Sequence, residues 1–250
     1  MVSAQAITQN HLLIHERIAA ACQRCGRNPD EVKLMAVSKT HPAEAIAGGF
    51  AAGLRLFGES RVQEFQQKLA DLKRLEIGVG GVSQGSGKAV SVHLIGHLQS
   101  NKTGKAAEIF SGVDTVDSLK LAERVNEGAK KAGRRLPVLI ELKLSDEAAK
   151  TGLEPESREM AELLEQLPSL DNLHMRGLMT VAPFDENPET ARACFQRLRV
   201  LREELAQRHP RLDFGELSMG MSGDFEIAIE EGSTLVRIGT AIFGARPKPV

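Results

Sequence analysis

Short apolar runs that favour β-strand alternate with segments that favour α-helix along the whole chain. Parallel strands covered by helices on both faces are apolar on both sides, as in the run at 34–37. The eight predicted strands lie at about 32–39, 55–59, 92–98, 112–116, 137–144, 174–181, 215–221 and 234–239. The predicted helices lie at about 42–52, 61–75, 102–110, 118–132, 155–166, 188–208 and 223–231, with an extra N-terminal helix at about 4–25. Eight such units predict an α/β fold, a single (β/α)8 TIM barrel over residues 1–250.

A doubly wound open sheet is the alternative fold for this alternation. Its dinucleotide-binding form carries a Gly-x-Gly-x-x-Gly turn after the first strand, whereas this chain continues with Thr40, His41 and Pro42. We therefore favour the barrel. A stretch rich in glycine and serine at 78–87 does not belong to the alternation, and we predict a flexible surface insertion at 76–91.

The composition argues against several classes of partner. Lys and Arg number 32 against 33 Asp and Glu, so no basic field favours nucleic acid or an anionic membrane. No apolar stretch approaches the roughly 20 residues that span a bilayer, and the first residues lack the basic start of a signal peptide. The three cysteines form no disulfide framework, and no second ligand pair accompanies Cys22 and Cys25. We predict a cytoplasmic protein without a metal site.

Lys39 ends the first predicted strand, where α/β folds place their chemistry. Partial burial disfavours the charged form of an amine, which frees the amine to condense with an aldehyde. A lysine whose stem is buried while its ammonium reaches water, with no chemical role, is the alternative.

The last two predicted strands end in segments that favour phosphate binding. Gly239 allows a close approach of the backbone, and Thr240 adds a hydroxyl. Ser222 follows the seventh strand and precedes a predicted helix start, where backbone amides attract anions. In (β/α)8 barrels, phosphate sites often form after strands seven and eight. Alternatively, the glycines only ease packing between strand and helix. Because strand eight pairs with strand one in a closed barrel, a phosphate site there would adjoin Lys39. Together they imply an aldehyde that carries a phosphate.

Six segments resemble the pyridoxal-phosphate homeostasis protein family (YggS/PROSC). They are AVSKT at 36–40, LFGE at 56–59, HLIGHLQSNK at 93–102, RGLM at 176–179, LSMGMS at 217–222 and VRIGTAIFG at 236–244. They occur in order over most of the chain, which makes the match specific.

The resemblance implies a barrel like the cofactor domain of bacterial alanine racemase. It also implies a pyridoxal 5'-phosphate (PLP) aldimine on Lys39, with the phosphate held around Ser222, Gly239 and Thr240. Arg237 is expected to face the pyridine nitrogen.

One position departs from the family pattern. The family has asparagine after Phe-Gly-Glu, where this chain has Ser60, so a direct contact from Ser60 to the cofactor is in doubt.

The same residues favour a carrier of PLP over an enzyme. A guanidinium donates a hydrogen bond to a neutral pyridine and leaves a weak electron sink. Alanine racemase takes its second base from a tyrosine associated with another domain, and this chain has no tyrosine, with His97 as the best substitute. We predict a monomer that buffers PLP or delivers it to apo-PLP enzymes, without catalysis. A racemase of low activity and a cofactor-free Schiff-base aldolase are the alternatives.

Overall fold

The computed structural model describes residues 2–80, 89–145 and 151–245 of an α/β protein. Its strands are β1 Lys33–Val37, β2 Leu56–Glu59, β3 Gly78–Val79, β4 Ala89–Leu94, β5 Gly112–Val116, β6 Leu136–Glu141, β7 Leu173–Met179, β8 Glu216–Ser218 and β9 Leu235–Ile238. Its α-helices are α1 Ala4–Arg24, α2 Ala43–Ala51, α3 Val62–Arg74, α4 Thr103–Ile109, α5 Leu119–Lys131, α6 Arg158–Gln166, α7 Pro188–Arg208, α8 Phe225–Glu230 and α9 Thr240–Phe243. Short 3₁₀ turns lie at Pro29–Glu31, Ser100–Lys102 and Leu167–Ser169.

Eight of these strands close into a parallel barrel, which confirms the predicted (β/α)8 fold. The order around the ring is β1, β2, β4, β5, β6, β7, β8 and β9. Closure rests on the parallel pairing of β1 with β9, in which Lys33 is opposite Leu235 and Ala36 is opposite Ile238. An open doubly wound sheet has no such pairing between its first and last strands.

The predicted insertion at 76–91 is partly built into the sheet. Residues 81–88 lie outside the described residues. On either side of them, Gly78 pairs with Ala89 and Val79 pairs with Val90, so β3 lies beside the first residues of β4. Val79 is buried. The described ends of this segment are therefore β-structure.

One helix begins later than predicted, and one short helix was not predicted. The sixth helix begins at Arg158 and not near Pro155, because the Ser157 hydroxyl accepts a hydrogen bond from the Met160 amide and caps the helix there. The short helix α9 follows β9 directly and was not predicted.

The barrel has an outer core and a separate interior. Alternate residues of each strand point to opposite faces. Ala36 belongs to the outer core between strands and helices, and its neighbours Met35 and Val37 point into the barrel. Leu139 and Leu235 are likewise buried outside the main hydrophobic cluster. Apolar side chains therefore fill the barrel between its two ends.

The predicted N-terminal helix is confirmed as α1. It packs on α2, α8 and α9 through a buried face that includes Ile14 and Ile18. On its polar side, Arg17 forms an ion pair of 2.7 Å with Glu226 on α8. Helix α1 therefore supports the side of the barrel that contains β1 and β9. Across the described ranges, no helix is long and apolar enough to cross a membrane.

Candidate functional site

Lys39 lies at the C-terminal end of the barrel strands, where the sequence places it. It follows β1 by two residues and is partly buried, while the preceding Ser38 is fully buried. Because β1 pairs with both β2 and β9, the loop that carries Lys39 is flanked by the ends of those two strands. Thr40, the next residue, has a left-handed backbone with φ of 67°.

Gly239 lies beside the end of β1. A Cβ atom on Gly239 would lie 3.3 Å from the backbone oxygen of Val37 and 3.4 Å from its Cβ atom. Such contacts are tight, so glycine here allows the end of β9 to approach the end of β1, which leads into the loop of Lys39. Thr240 follows and is exposed. The structure therefore brings Gly239 and Thr240 next to the Lys39 loop, as the barrel prediction requires.

Ser222 lies in the neighbouring loop, after β8. This loop is joined to β9 by a hydrogen bond of 3.0 Å from the Arg237 amide to the Gly220 oxygen. The helix predicted from about 223 is present as α8, which begins two residues later at Phe225 with Asp224 at the N-cap position. Ser222 therefore offers its hydroxyl from a turn and not from the end of the helix. The hydroxyls of Ser222, in the turn after β8, and of Thr240, at the start of α9, fit a phosphate group.

Arg237 points into the barrel near the C-terminal ends of its strands and is only 4% exposed. One terminal nitrogen donates to the Ser218 backbone oxygen and to its hydroxyl, both at 2.7 Å, and the other donates to the Thr180 oxygen at 2.8 Å. Burial lowers the pKa of Arg237 from its ordinary value, opposed by nearby carboxylates such as Asp114. A guanidinium still keeps its proton at neutral pH, so Arg237 acts as a fixed donor.

Two other groups at the C-terminal end of the barrel strands bear on acid–base chemistry. His97 is largely exposed, and its Nδ1 atom lies 3.3 Å from Asp117 Oδ2. Glu141 at the end of β6 is buried and accepts a hydrogen bond of 3.0 Å from the Thr151 hydroxyl. Burial raises the pKa of Glu141. Glu141 was not among the predicted site residues, although a carboxylate within the apolar strand predicted at 137–144 was a usable signal.

A cluster of charged residues behind Lys39 was also missed. Glu59 ends β2, and Glu64 and Lys68 lie on α3. Lys68 Nζ lies 2.7 Å from Glu59 Oε1 and 2.8 Å from Glu64 Oε1. Ser60, where the chain departs from the family pattern, is partly buried, and its backbone packs closely on Gly96.

Comparisons with known proteins agree with this architecture. The family model for the N-terminal domain of alanine racemase matches residues 12–247. The pyridoxal phosphate homeostasis protein of Vibrio cholerae is 44% identical over 243 residues, which cover 97% of each protein. The Escherichia coli K12 protein of the same name is 43% identical over 241 residues, covering 96% of this chain and 97% of that protein. PipY of Synechococcus elongatus, solved with PLP bound, is 41% identical, with a TM-score of 0.78, and the match covers 92% of this chain and 100% of PipY.

Proposed function

Because the chain belongs to the pyridoxal phosphate homeostasis protein family, whose barrel is that of the alanine racemase N-terminal domain, we propose that it binds PLP and buffers or delivers it. The observation that carries the proposal is the proximity of the Lys39 loop to Gly239 at one mouth of the barrel. An amine next to the glycine and the hydroxyl that follow β9 suits an aldehyde that carries a phosphate. The PLP-bound structure of PipY supports the same choice of ligand.

The residues have distinct proposed roles. Lys39 holds the cofactor reversibly as a Schiff base, and Ser222, Gly239 and Thr240 hold its phosphate. Arg237 faces the ring nitrogen and donates a hydrogen bond to it. When bound, PLP supplies an aldehyde for the Schiff base and an electron sink. Arg237 weakens that sink, because a guanidinium cannot supply a proton to the pyridine.

We infer that the protein holds PLP without catalytic turnover. The chain contains no tyrosine, so no phenol can act as the second base of a racemase. His97, the substitute, is 55% exposed in its side chain and is directed at Asp117. A group so open to water is poorly placed to exchange protons with a bound substrate.

Trapping the Schiff base tests the binding site. We expect wild-type protein to take up PLP with a yellow absorbance, and borohydride to fix the cofactor on the peptide that contains Lys39, as read by mass spectrometry. Lys39→Ala should lose both signals. Lys33→Ala is the matched control, because Lys33 lies on the same strand at the opposite end of the barrel and pairs with Glu216. Absence of colour, or label on another lysine, would contradict the proposal.

The same material tests the absence of turnover. PLP-loaded protein incubated with L-amino acids should produce no more D-enantiomer than Lys39→Ala. Exchange that depends on both Lys39 and His97 would instead identify a racemase. Reaction of Lys39 with a phosphorylated carbonyl substrate in protein that cannot be loaded with PLP would identify an aldolase.

We also propose that the protein is a cytoplasmic monomer and that the whole chain forms one domain. Its three cysteines are free, which suits a reducing compartment. Sedimentation at equilibrium, with a mass of 27.1 kDa expected for the monomer, tests the oligomeric state.

A further inference from the structure

Glu59, Glu64 and Lys68 form a charge cluster against the loop of Lys39, in which Glu59 and Lys68 are buried and Glu64 is partly buried. Glu59 is 0% exposed and Lys68 is 7% exposed. A buried ammonium is costly unless carboxylates surround it, and Lys68 has one on each side. Replacing such buried ion pairs by apolar residues is often neutral or stabilising. Stability of the fold alone therefore does not explain the cluster.

The cluster binds the main chain on both sides of Lys39. Lys68 donates a hydrogen bond of 3.1 Å to the Ser38 backbone oxygen, and the Ser38 hydroxyl donates one of 2.7 Å to Glu59. On the other side, the Thr40 amide donates a hydrogen bond of 2.6 Å to Glu64 Oε1. The residues before and after Lys39 are thus held by one connected set of charges.

The hydrogen bonds around Lys39 hold Thr40 in a backbone conformation that this residue type disfavours. Its φ of 67° is a left-handed conformation that β-branched residues rarely adopt. Such a conformation persists when surrounding contacts enforce it. The hydrogen bond from the Thr40 amide to Glu64 is such a contact, and the pKa of Glu64 favours it. Partial burial opposes ionisation of Glu64, but hydrogen bonds from Lys68 and the Thr40 amide outweigh it and lower the pKa, so the carboxylate is charged at neutral pH.

We propose that Glu64 and Lys68 are positioning residues that fix the backbone around Lys39, and thereby direct its amine towards the aldehyde of the cofactor. This inference rests on the proposed binding of PLP. Neither residue contacts the cofactor in this proposal. They restrict the conformations of Lys39 before PLP binds, so that less conformational entropy is lost when the Schiff base forms.

The experiment compares variants of Glu64 that separate charge from hydrogen bonding. Glu64→Leu removes the acceptor for the Thr40 amide, whereas Glu64→Gln keeps an acceptor oxygen. We expect Glu64→Leu to weaken PLP binding about tenfold and to lower the fraction trapped by borohydride, because the Thr40 amide loses a charged acceptor. Glu64→Gln should remain within about threefold of wild type, because its hydrogen bond is neutral but intact. If Glu64 served only to stabilise the fold, the weaker binding in Glu64→Leu and its recovery in Glu64→Gln would be accompanied by parallel changes in the melting temperature of the PLP-free protein.

Lys68 is replaced together with Glu59, because replacing Lys68 alone would leave the buried Glu59 carboxylate without its counterion. The double variant Glu59→Gln/Lys68→Met removes both charges together and should fold. It should nevertheless bind PLP at least about tenfold more weakly, because the Ser38 backbone oxygen loses its donor and the Ser38 hydroxyl keeps only a neutral acceptor. Lys105→Met, which breaks the exposed pair of 2.6 Å with Glu108 on α4, is the matched control and should bind as wild type does. If wild type is trapped at Lys39 while folded Glu64→Leu and the double variant bind equally well, the inference is wrong and the proposed function stands. If wild type takes up no PLP, the proposed function itself fails.

Discussion

Arg237 is a permanent charge that the barrel holds almost without access to water. Its terminal nitrogens donate to Ser218 and Thr180, so strands β7 to β9 are linked through one side chain at their C-terminal ends. A guanidinium has a fixed planar arrangement of donors, which lysine cannot reproduce. The contacts that hold Arg237 in place therefore also connect neighbouring strands of the barrel.

Removing this side chain is expected to destabilise the PLP-free protein. Arg237→Leu leaves the Ser218 and Thr180 oxygens without their donor, and we expect the free energy of unfolding to fall by about 3 kcal/mol. Urea denaturation measures the change. Arg158→Leu serves as the control, because Arg158 is 90% exposed in its side chain and its pair with Glu162 should contribute less than about 0.5 kcal/mol. Equal midpoints for the two variants would show that the contacts of Arg237 carry no stability.

The sequence indicated some of the site residues and concealed others. Lys39 and Arg237 are charged residues in or after apolar strands, a position that is unusual enough to be noticed. Glu64 and Lys68 have the spacing of an ordinary exposed pair on a helix, four residues apart. Their burial results from the loop after β1 folding over α3, which no local pattern records.

At the scale of elements, α3 links the hydrophobic core to the site. Phe65 lies between Glu64 and Lys68 in sequence, is fully buried, and packs on Phe110 with ring centroids 4.8 Å apart. Helical geometry places the neighbours of a buried residue at the edges of its face. The packing of Phe65 therefore sets the orientation in which α3 presents its charges to β1.

Truncation of Phe65 tests how firmly the helix is held. We expect Phe65→Ala to reduce the free energy of unfolding by about 3–5 kcal/mol, because a cavity remains where the ring packed. The adjacent and exposed Gln66 gives the control, since Gln66→Ala removes no buried contact. Chemical denaturation of both proteins gives the comparison. A loss below about 1 kcal/mol for Phe65→Ala would mean that α3 is not anchored by this residue.

The elements that the sequence analysis missed are those with the weakest local signals. Strand β3 has two residues and depends on pairing with β4, a contact with residues about ten positions further along the chain. Helix α9 is a single turn that begins directly after Gly239. Longer elements such as α1 and α7 repeat an apolar face over several turns, which is why their positions were predicted well.

For the whole molecule, closure of the barrel assembles the site from both ends of the sequence. Lys39 belongs to the first βα unit and Gly239 to the last, and only the β1–β9 pairing makes them neighbours. The eightfold alternation was sufficient to predict this proximity. It could not predict the polar contacts across the barrel, such as those of Arg237 with Thr180, because they depend on the register between strands.

We expect a carrier of this kind to release PLP at a rate that does not depend on the concentration of the recipient enzyme. In the proposed carrier, the Schiff base with Lys39 is hydrolysed before the cofactor leaves, so the rate at which loaded protein activates an apo-PLP enzyme should reach a plateau as the apo-enzyme concentration rises. That plateau should equal the release rate measured by dilution of the loaded protein. Lys39→Ala mixed with the same amount of PLP should activate the enzyme as free PLP does, because it forms no Schiff base. Activation that keeps rising with apo-enzyme concentration would instead mean that the recipient draws PLP out by direct contact, and a complete lack of activation would contradict the carrier function.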